Sequence, residues 1–401
     1  MDKAKNAMLP LLAGSILCEG KCVFSNNPNY TDIRNMCEIL RSLGAEVSND
    51  NDKLIVDNTN THKYYISPEL AKVIRSSIFA LGALLGRFGK ARVSYPGGCD
   101  IGLRPIDLHL KGLRDLGVNI VEAHGLINCD ASKIHGGNVC LDYPSVGATE
   151  NLIMASVLGK KRRTIIHNVA KEPEIVDLQN FINSMGGKIK GAGTSIVTID
   201  SVEKLHGVDY VPLADRIVAG TYMIAVAMTG GEVEIIGCEA SVVQSLIDKL
   251  VKSSCKLDIK NDKIIVKSNG CPKSFGFVET MPYPGFPTDL QAQILSLATI
   301  CKGNSVIREN LFEARFRFVP ELIKMGANVV VRDRTAFVSG VKTLQGASVY
   351  AGDLRGGVAL VLAGLVANGY TTVNDIWHID RGYKDIEKVL ANLGADITRI
   401  E

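Results

Sequence analysis

Residues 73–89 read VIRSSIFALGALLGRFG, and this stretch decides the fold. It is an apolar run of helical length that opens on Arg75 and closes on Gly89. The pattern recurs at Gly20, Gly89, Gly159, Gly230, Gly303 and Gly369, which are 69, 70, 71, 73 and 66 residues apart. Fourteen residues ahead of each glycine stand Asn6, Arg75, Ser145, Arg216, Asp289 and Arg355. One repeated position is therefore polar or charged every time, at the head of an apolar helix, where backbone N–H groups gather anions and reacting groups.

Each copy continues alike. After the glycine comes a short β-rich run, such as RTIIHN or EVEIIG, and then a second helix. That helix ends on Gly44, Gly117, Gly186, Gly326 or Gly394, each able to take the left-handed C-terminal cap. The fourth copy has Ser253-Ser254 there instead. Alternating or β-branched runs such as ANVVVRD follow. The first helices carry few charges, which predicts burial on all sides.

A period near 70 is too long for a solenoid and fits an α/β unit with two helices. Six units exceed what one core of about 250–300 residues holds. The expected fold is two domains of three units each, residues 5–212 and residues 213–401, with residues 1–4 joining the second. Units two to six lead into their first helix with an extended segment, such as HKYYISP or ASVYAGD; unit one has only Met1 to Ala4. A pair of strands is therefore expected to be absent there, unless another element compensates. Unit six stops without the final strand of the others.

The formal charge is +3, and no basic run is interleaved with aromatics, which argues against nucleic acid as a partner. The apolar runs are too short to span a bilayer. Lys3 and Lys5 ahead of Met8 to Leu17 have the outline of a signal peptide, but the same helix recurs where no signal can be. The ten cysteines form no CxxC pair or zinc-like set, so a reduced cytoplasmic protein without a metal is the expectation.

Three features suggest chemistry. Residues 96–109, PGGCDIGLRPIDLH, lie in the unit with the longest interval between glycine markers, 28 residues against 23 to 27 elsewhere. A glycine-rich loop presenting Cys99 suits a lid with a reactive thiol; the plainer reading is one more small buried hydrophobe. Arg104 precedes Gly117 by thirteen residues and Arg381 precedes Gly394 by thirteen, so the two arginines are matched, one in each expected domain. A pair of guanidiniums so placed suits one anion; alternatively, both lie on the surface. Finally, Lys5, Arg75, Arg216, Arg315 and Arg355 add to a cationic site in which one carboxylate, Asp289, can act as a base. Asp215 and Asp353 are expected to orient neighbouring arginines.

AKNAMLP, PGGCDIGLRPIDLH, SVGAT, EPEIVD, FPTDLQAQ, VPELIKMGA and HIDRGY stand in an order and spacing that resemble the UDP-N-acetylglucosamine 1-carboxyvinyltransferases, a family of enolpyruvyl transferases, over essentially the whole chain. The resemblance implies two inverted α/β barrels of three units each. It implies transfer of the enolpyruvyl group of phosphoenolpyruvate to the 3′-hydroxyl of UDP-N-acetylglucosamine, with no cofactor or metal, in a cytoplasmic monomer or weak oligomer serving peptidoglycan synthesis. By the same resemblance Lys5, Arg104 and Arg381 hold the phosphate of phosphoenolpyruvate, with Arg355 near its carboxylate and Arg75 close by. Asn6, Asp289 and Arg315 address the sugar, with Asp289 as base. Pro105, Ile106, Asp107 and Leu108, then Ser145, Val146 and Gly147, meet the UDP part, and Leu311 adds a contact. Cys99 matches the loop thiol that protonates the methylene carbon, assists product release and is alkylated by fosfomycin.

Two departures stand out. The family's N-terminal strand segment has no counterpart before Ala4, which leaves Lys5 near a terminus with nothing to fix it, and Lys3 replaces a usual glycine. Tyr143 stands where a lysine often meets the diphosphate. The rival readings are 5-enolpyruvylshikimate-3-phosphate synthase, which lacks the PGGC loop, and a paralogue that binds UDP-sugar without turnover.

Overall fold

The computed structural model describes residues 1–97, 101–102, 105–260 and 263–400. The chain divides into two compact units, one of Asp2–Cys99 with Arg104–Leu213, the other of Met1, Asp100–Leu103 and Ala214–Glu401. Of residues 1–4, only Met1 groups with the C-terminal unit. The Ala4 N–H donates to Leu213 O at 2.9 Å, which ties the start of the chain to the N-terminal unit instead. No helix among the described residues is long and apolar enough to cross a membrane.

The N-terminal unit begins with α1 (Lys5–Ser15), β1 (Lys21–Phe24), α2 (Thr31–Leu43), β2 (Glu46–Asp50) and β3 (Lys53–Asp57). After α3 (Pro68–Val73), a 3-10 turn at Arg75–Ile78 runs into α4 (Phe79–Phe88) and β4 (Lys90–Ser94). Then come α5 (Asp107–Asp115), β5 (Asn119–Ala123), β6 (Leu126–Asp130), β7 (Gly137–Cys140) and α6 (Val146–Ser156). The unit closes with β8 (Arg163–His167), α7 (Pro173–Ser184), β9 (Ile189–Lys190), β10 (Ile196–Asp200) and β11 (Asp209–Tyr210). Its sheets run β11-β1-β3-β2, β4-β6-β5 and β7-β8-β10-β9.

The C-terminal unit begins with α8 (Arg216–Thr229), β12 (Gly231–Ile236), α9 (Gln244–Lys252), β13 (Lys256–Lys260), β14 (Lys263–Ser268) and β15 (Phe277–Glu279). A 3-10 turn at Thr288–Leu290 opens α10 (Gln291–Ala298), followed by β16 (Asn304–Arg308), α11 (Val319–Lys324), β17 (Asn328–Arg332) and β18 (Thr335–Ser339). Then come β19 (Leu344–Gln345), β20 (Ser348–Tyr350), α12 (Leu354–Gly364), β21 (Ala367–Asn368), β22 (Thr372–Asn374), a 3-10 segment Ile376–Arg381 and α13 (Ile386–Asn392). Strands order as β12-β14-β13, β15-β16-β18-β17, β19-β21 and β20-β22. Each unit has its own core.

A helix or 3-10 turn starts at, or within a residue of, each of the six polar positions. Ser145, Asp215 and Asp353 cap their helices. The Ser145 hydroxyl accepts from Ala148 N–H (3.3 Å), Asp215 from Ile217 and Val218, and Asp353 from Arg355 and Gly356. Asp215 and Asp353 thus act on the backbone, filling the open N–H groups of a first turn. Gly44, Gly117, Gly186, Gly326 and Gly394 have φ between 87° and 103°, and in the fourth copy Ser254 takes the same left-handed turn at φ 75°.

The extended segment ahead of α8 serves unit one. β11 lies parallel against β1, with Val23 opposite Asp209 and Phe24 opposite Tyr210. It fills the place that β7 has beside β8 and β15 beside β16, both also parallel. The edge expected to lack a strand is covered by the end of the unit's own chain.

Glycines set how closely α4 and α6 approach. A Cβ on Gly82 would lie 2.8 Å from Asn151 Cα, and one on Gly86 would lie 2.5 Å from Met154 O. The two helices therefore meet backbone to backbone, which fixes Arg75 at the head of one relative to Ser145 at the head of the other.

Candidate active site

In the C-terminal unit Asp289 sits between two arginines. Its Oδ1 accepts from Arg315 Nη2 at 2.5 Å and its Oδ2 from Arg355 Nη2 at 2.8 Å. Both guanidiniums are buried, whereas a quarter of the Asp289 side chain is exposed. Arg315 also donates to Thr288 O at 3.2 Å. Arg355 Nη1 donates to the buried Tyr383 hydroxyl at 3.3 Å, and that hydroxyl lies 2.7 Å from Thr221 Oγ1. Burial alone would lower the Arg355 pKa, but Asp289, Tyr383 and Asp215 outweigh it and hold the guanidinium charged. A carboxylate held by two fixed cations is oriented, and a hydroxyl brought to it would meet an acceptor for its proton.

Glu309, fully buried, braces this site. One of its oxygens accepts from the N–H groups of Leu311 (2.8 Å) and Phe312 (3.1 Å) and from Thr280 Oγ1, and the other from Thr288 Oγ1. It links the turn carrying Leu311 to the residue before Asp289. Arg381 ends its 3-10 segment and acts electrostatically on His378, whose pKa is lowered by burial first and by Arg381 second. Arg216 opens α8 and lies over the Tyr283 ring, 5.7 Å from its centroid.

In the N-terminal unit Lys5 and Asn6 open α1. Lys5 Nζ donates to Asp32 Oδ2 of α2 at 3.2 Å, both side chains nearly buried, so Lys5 is fixed after all. Ile106 precedes α5, Asp107 and Leu108 form its first turn, and Ser145, Val146 and Gly147 open α6. The two helix starts adjoin, since a Cβ on Gly147 would lie 2.9 Å from His109 Cε1. Burial, and then Arg75, push the His109 pKa down to about 3, so its ring is neutral. The Tyr143 carbonyl accepts from Ser145 N–H at 2.7 Å, and its ring is exposed. Cys99 and Arg104 lie outside the described residues, and Pro105 leads into α5.

Asp32, His109, Glu309 and Tyr383 are the parts that sequence reasoning missed. His109 and Tyr383 end the motifs PGGCDIGLRPIDLH and HIDRGY, a signal that could have found them; Asp32 and Glu309 carry none beyond a charge beside an apolar run.

The profile of the EPSP synthase (3-phosphoshikimate 1-carboxyvinyltransferase) family matches residues 2–390. A UDP-N-acetylglucosamine 1-carboxyvinyltransferase 2 of Caldanaerobacter subterraneus subsp. tengcongensis is 50% identical over 397 residues, 99% of this chain and 95% of that one. A UDP-N-acetylglucosamine 1-carboxyvinyltransferase 1 of Clostridium acetobutylicum is 46% identical over 400 residues, with the same coverage. Among solved structures, the enolpyruvyl transferase NikO of Streptomyces tendae superposes with a TM-score of 0.87 at 24% identity, covering 99% of this chain and 94% of that one. An EPSP synthase of Acinetobacter baumannii does so with 0.73 at 15%, covering 98% and 94%. The last two speak for the fold alone.

Proposed function

We infer that this chain, which belongs to the EPSP synthase (3-phosphoshikimate 1-carboxyvinyltransferase) family of enolpyruvyl transferases, is a UDP-N-acetylglucosamine 1-carboxyvinyltransferase. It transfers the enolpyruvyl group of phosphoenolpyruvate to the 3′-hydroxyl of UDP-N-acetylglucosamine and releases phosphate, a step of peptidoglycan synthesis. The single observation that carries the chemistry is Asp289, held by the buried Arg315 and Arg355 with a quarter of its side chain exposed.

The reaction adds and then eliminates. Asp289 takes the proton of the 3′-hydroxyl while the oxygen attacks C2 of phosphoenolpyruvate and C3 gains a proton, which we assign to the Cys99 thiol. The tetrahedral ketal then loses phosphate from C2 and a proton from C3, and the double bond returns. Lys5, Arg104 and Arg381 take the phosphate, Arg355 and Arg75 the remaining negative charge, and Asn6 and Arg315 the sugar. The first turns of α5 and α6, with Leu311, take the UDP part; open N–H groups at a helix start suit a diphosphate. The finer arrangement we propose is two inverted α/β barrels of three units, residues 5–212 and 213–401. The test is phosphate release from phosphoenolpyruvate, expected with UDP-N-acetylglucosamine as acceptor. Release with shikimate 3-phosphate instead would overturn the reading.

A further inference from the structure

The two helices that carry proposed nucleotide contacts, α5 and α6, meet α4 at one buried side chain that no proposed contact involves. Asn151 lies in α6, fully buried, six residues past the Ser145 cap. Its Oδ1 accepts from the Gly82 N–H of α4 at 2.6 Å. Its Nδ2 lies 2.8 Å from His109 Nδ1 of α5 and 3.3 Å from Gly147 O in the first turn of α6.

These contacts fix every role. The Gly82 N–H can only donate, so the amide oxygen faces α4 and the amide nitrogen faces α5. The nitrogen can only donate, so His109 Nδ1 accepts and the ring carries its proton on Nε2. A side chain at Gly82 would strike Asn151 itself, so the glycine exists to let this contact form.

We propose that Asn151 is a positioning residue for nucleotide recognition: through His109, Gly147 and Gly82 it locks the opening turns of α5 and α6 to the helix led by Arg75. It touches no reacting group. It sets the separation of two helix starts that must present their N–H groups to one diphosphate. This rests on the functional reading above and deepens it. Catalytic proton transfer at Asp289 does not pass through the tie, so binding and turnover separate.

The test uses Asn151→Leu, His109→Phe and the double variant in the full chain. Each single variant is expected to raise KM for UDP-N-acetylglucosamine by about 5- to 20-fold, with kcat within about twofold and KM for phosphoenolpyruvate unchanged. The double variant should lose little more than either single one, because both break the same tie. Equal losses for both substrates, additive losses, or an unchanged nucleotide KM would overturn the proposal. Nitrogen NMR of the wild-type His109 ring covers variants that fail to fold: a proton on Nε2 is expected, and a proton on Nδ1 overturns it. Calorimetric binding of UDP is expected to weaken in the same variants, and unchanged binding overturns the proposal. If the wild type binds UDP but releases no phosphate, the functional reading fails separately.

Discussion

Two helical glycines should respond with opposite sign to the same methyl group. Helix propensity alone predicts that Gly82→Ala and Gly14→Ala each stabilise by up to about 1 kcal/mol. Around Gly14, in α1, a new Cβ would meet Leu178 Cδ1 and Phe181 Cε1 at 3.5 Å and Met154 Sδ at 3.7 Å, all ordinary contacts. Around Gly82 it would meet Asn151 Cα and Oδ1 at 2.8 Å and the Asn151 carbonyl oxygen closer still. Ordinary contact begins at 3.4 Å, so α4 and α6 must part by 3.4 − 2.8, or about 0.6 Å at least. Backbone atoms cannot turn aside as a flexible side chain can. Overpacking of this kind costs about 1–3 kcal/mol, and the propensity gain offsets about 1. The net loss is about 0–2 kcal/mol, which for a unit near 200 residues lowers Tm by up to about 8 °C. Parting the helices also stretches the Gly82–Asn151 bond, so nucleotide KM should rise with it. Calorimetry and steady-state phosphate release on both variants supply the readings. Gly82→Ala melting above wild type, or Gly14→Ala melting below Gly82→Ala, would refute the close approach.

Asp177 is buried, and its pKa is pushed up to about 6, by burial above all, against hydrogen bonds from Tyr210 and Leu213 N–H that lower it. Below about pH 4 the carboxyl is protonated folded and unfolded alike. As pH rises toward 6 the unfolded chain gives up its proton first, so stability falls, by no more than about 3 kcal/mol for two pKa units. The Tm of Asp177→Asn minus that of wild type should therefore climb between pH 4 and 7; a flat difference contradicts the burial argument. Tyr383→Phe leaves Arg355 Nη1 and Thr221 without their shared partner, which should cost about 1–3 kcal/mol in chemical denaturation and lower kcat/KM; an unchanged denaturation midpoint argues against the network. Tyr143→Lys puts a cation one residue beyond the Ser145 cap's neighbour, Pro144, and should lower KM for UDP-N-acetylglucosamine by about 2- to 5-fold, the effect of one exposed charge at about 0.3–1 kcal/mol, with the gain shrinking as salt rises. Fosfomycin should label Cys99 first among the cysteines: burial raises Cys37 and Cys238 to about 11 and Cys129 and Cys301 to about 12, and Cys18, Cys22 and Cys255 are buried as well, which leaves Cys140 and Cys271 as exposed competitors. Peptide mapping that finds either of those two modified before Cys99 counts against the loop thiol.

What the sequence reveals here follows from what is local. The polar heads of the apolar helices and the left-handed cap, even where Ser254 replaces glycine, are written within a few residues of where they act. The opening of two first helices as 3-10 turns, at Arg75 and Thr288, changes nothing in the position of the head. The Asp215 and Asp353 caps are equally local, each filled by the N–H groups two and three residues on. Long-range polar ties are another matter. His109 finds Asn151 across 42 residues with no spacing that marks either; Arg355 finds Asp289 across 66, and although both stand at the repeated helix head, the repeat does not say which heads pair. Lys5 looked loose because Asp32 lies on a different helix, 27 residues on.

The pairing of β1 with β11 has a consequence for how the chain is made. Val23 must wait for Asp209, 209 − 23 = 186 residues later. At about 5–20 residues per second, a ribosome needs roughly 10–40 s to deliver that partner. Until then the outer edge of β1 is open, and an open edge invites pairing with other chains. The last strand of the N-terminal unit is thus also the one that ends its exposure, and the timing of synthesis, as much as the final contacts, decides whether that edge meets its own strand.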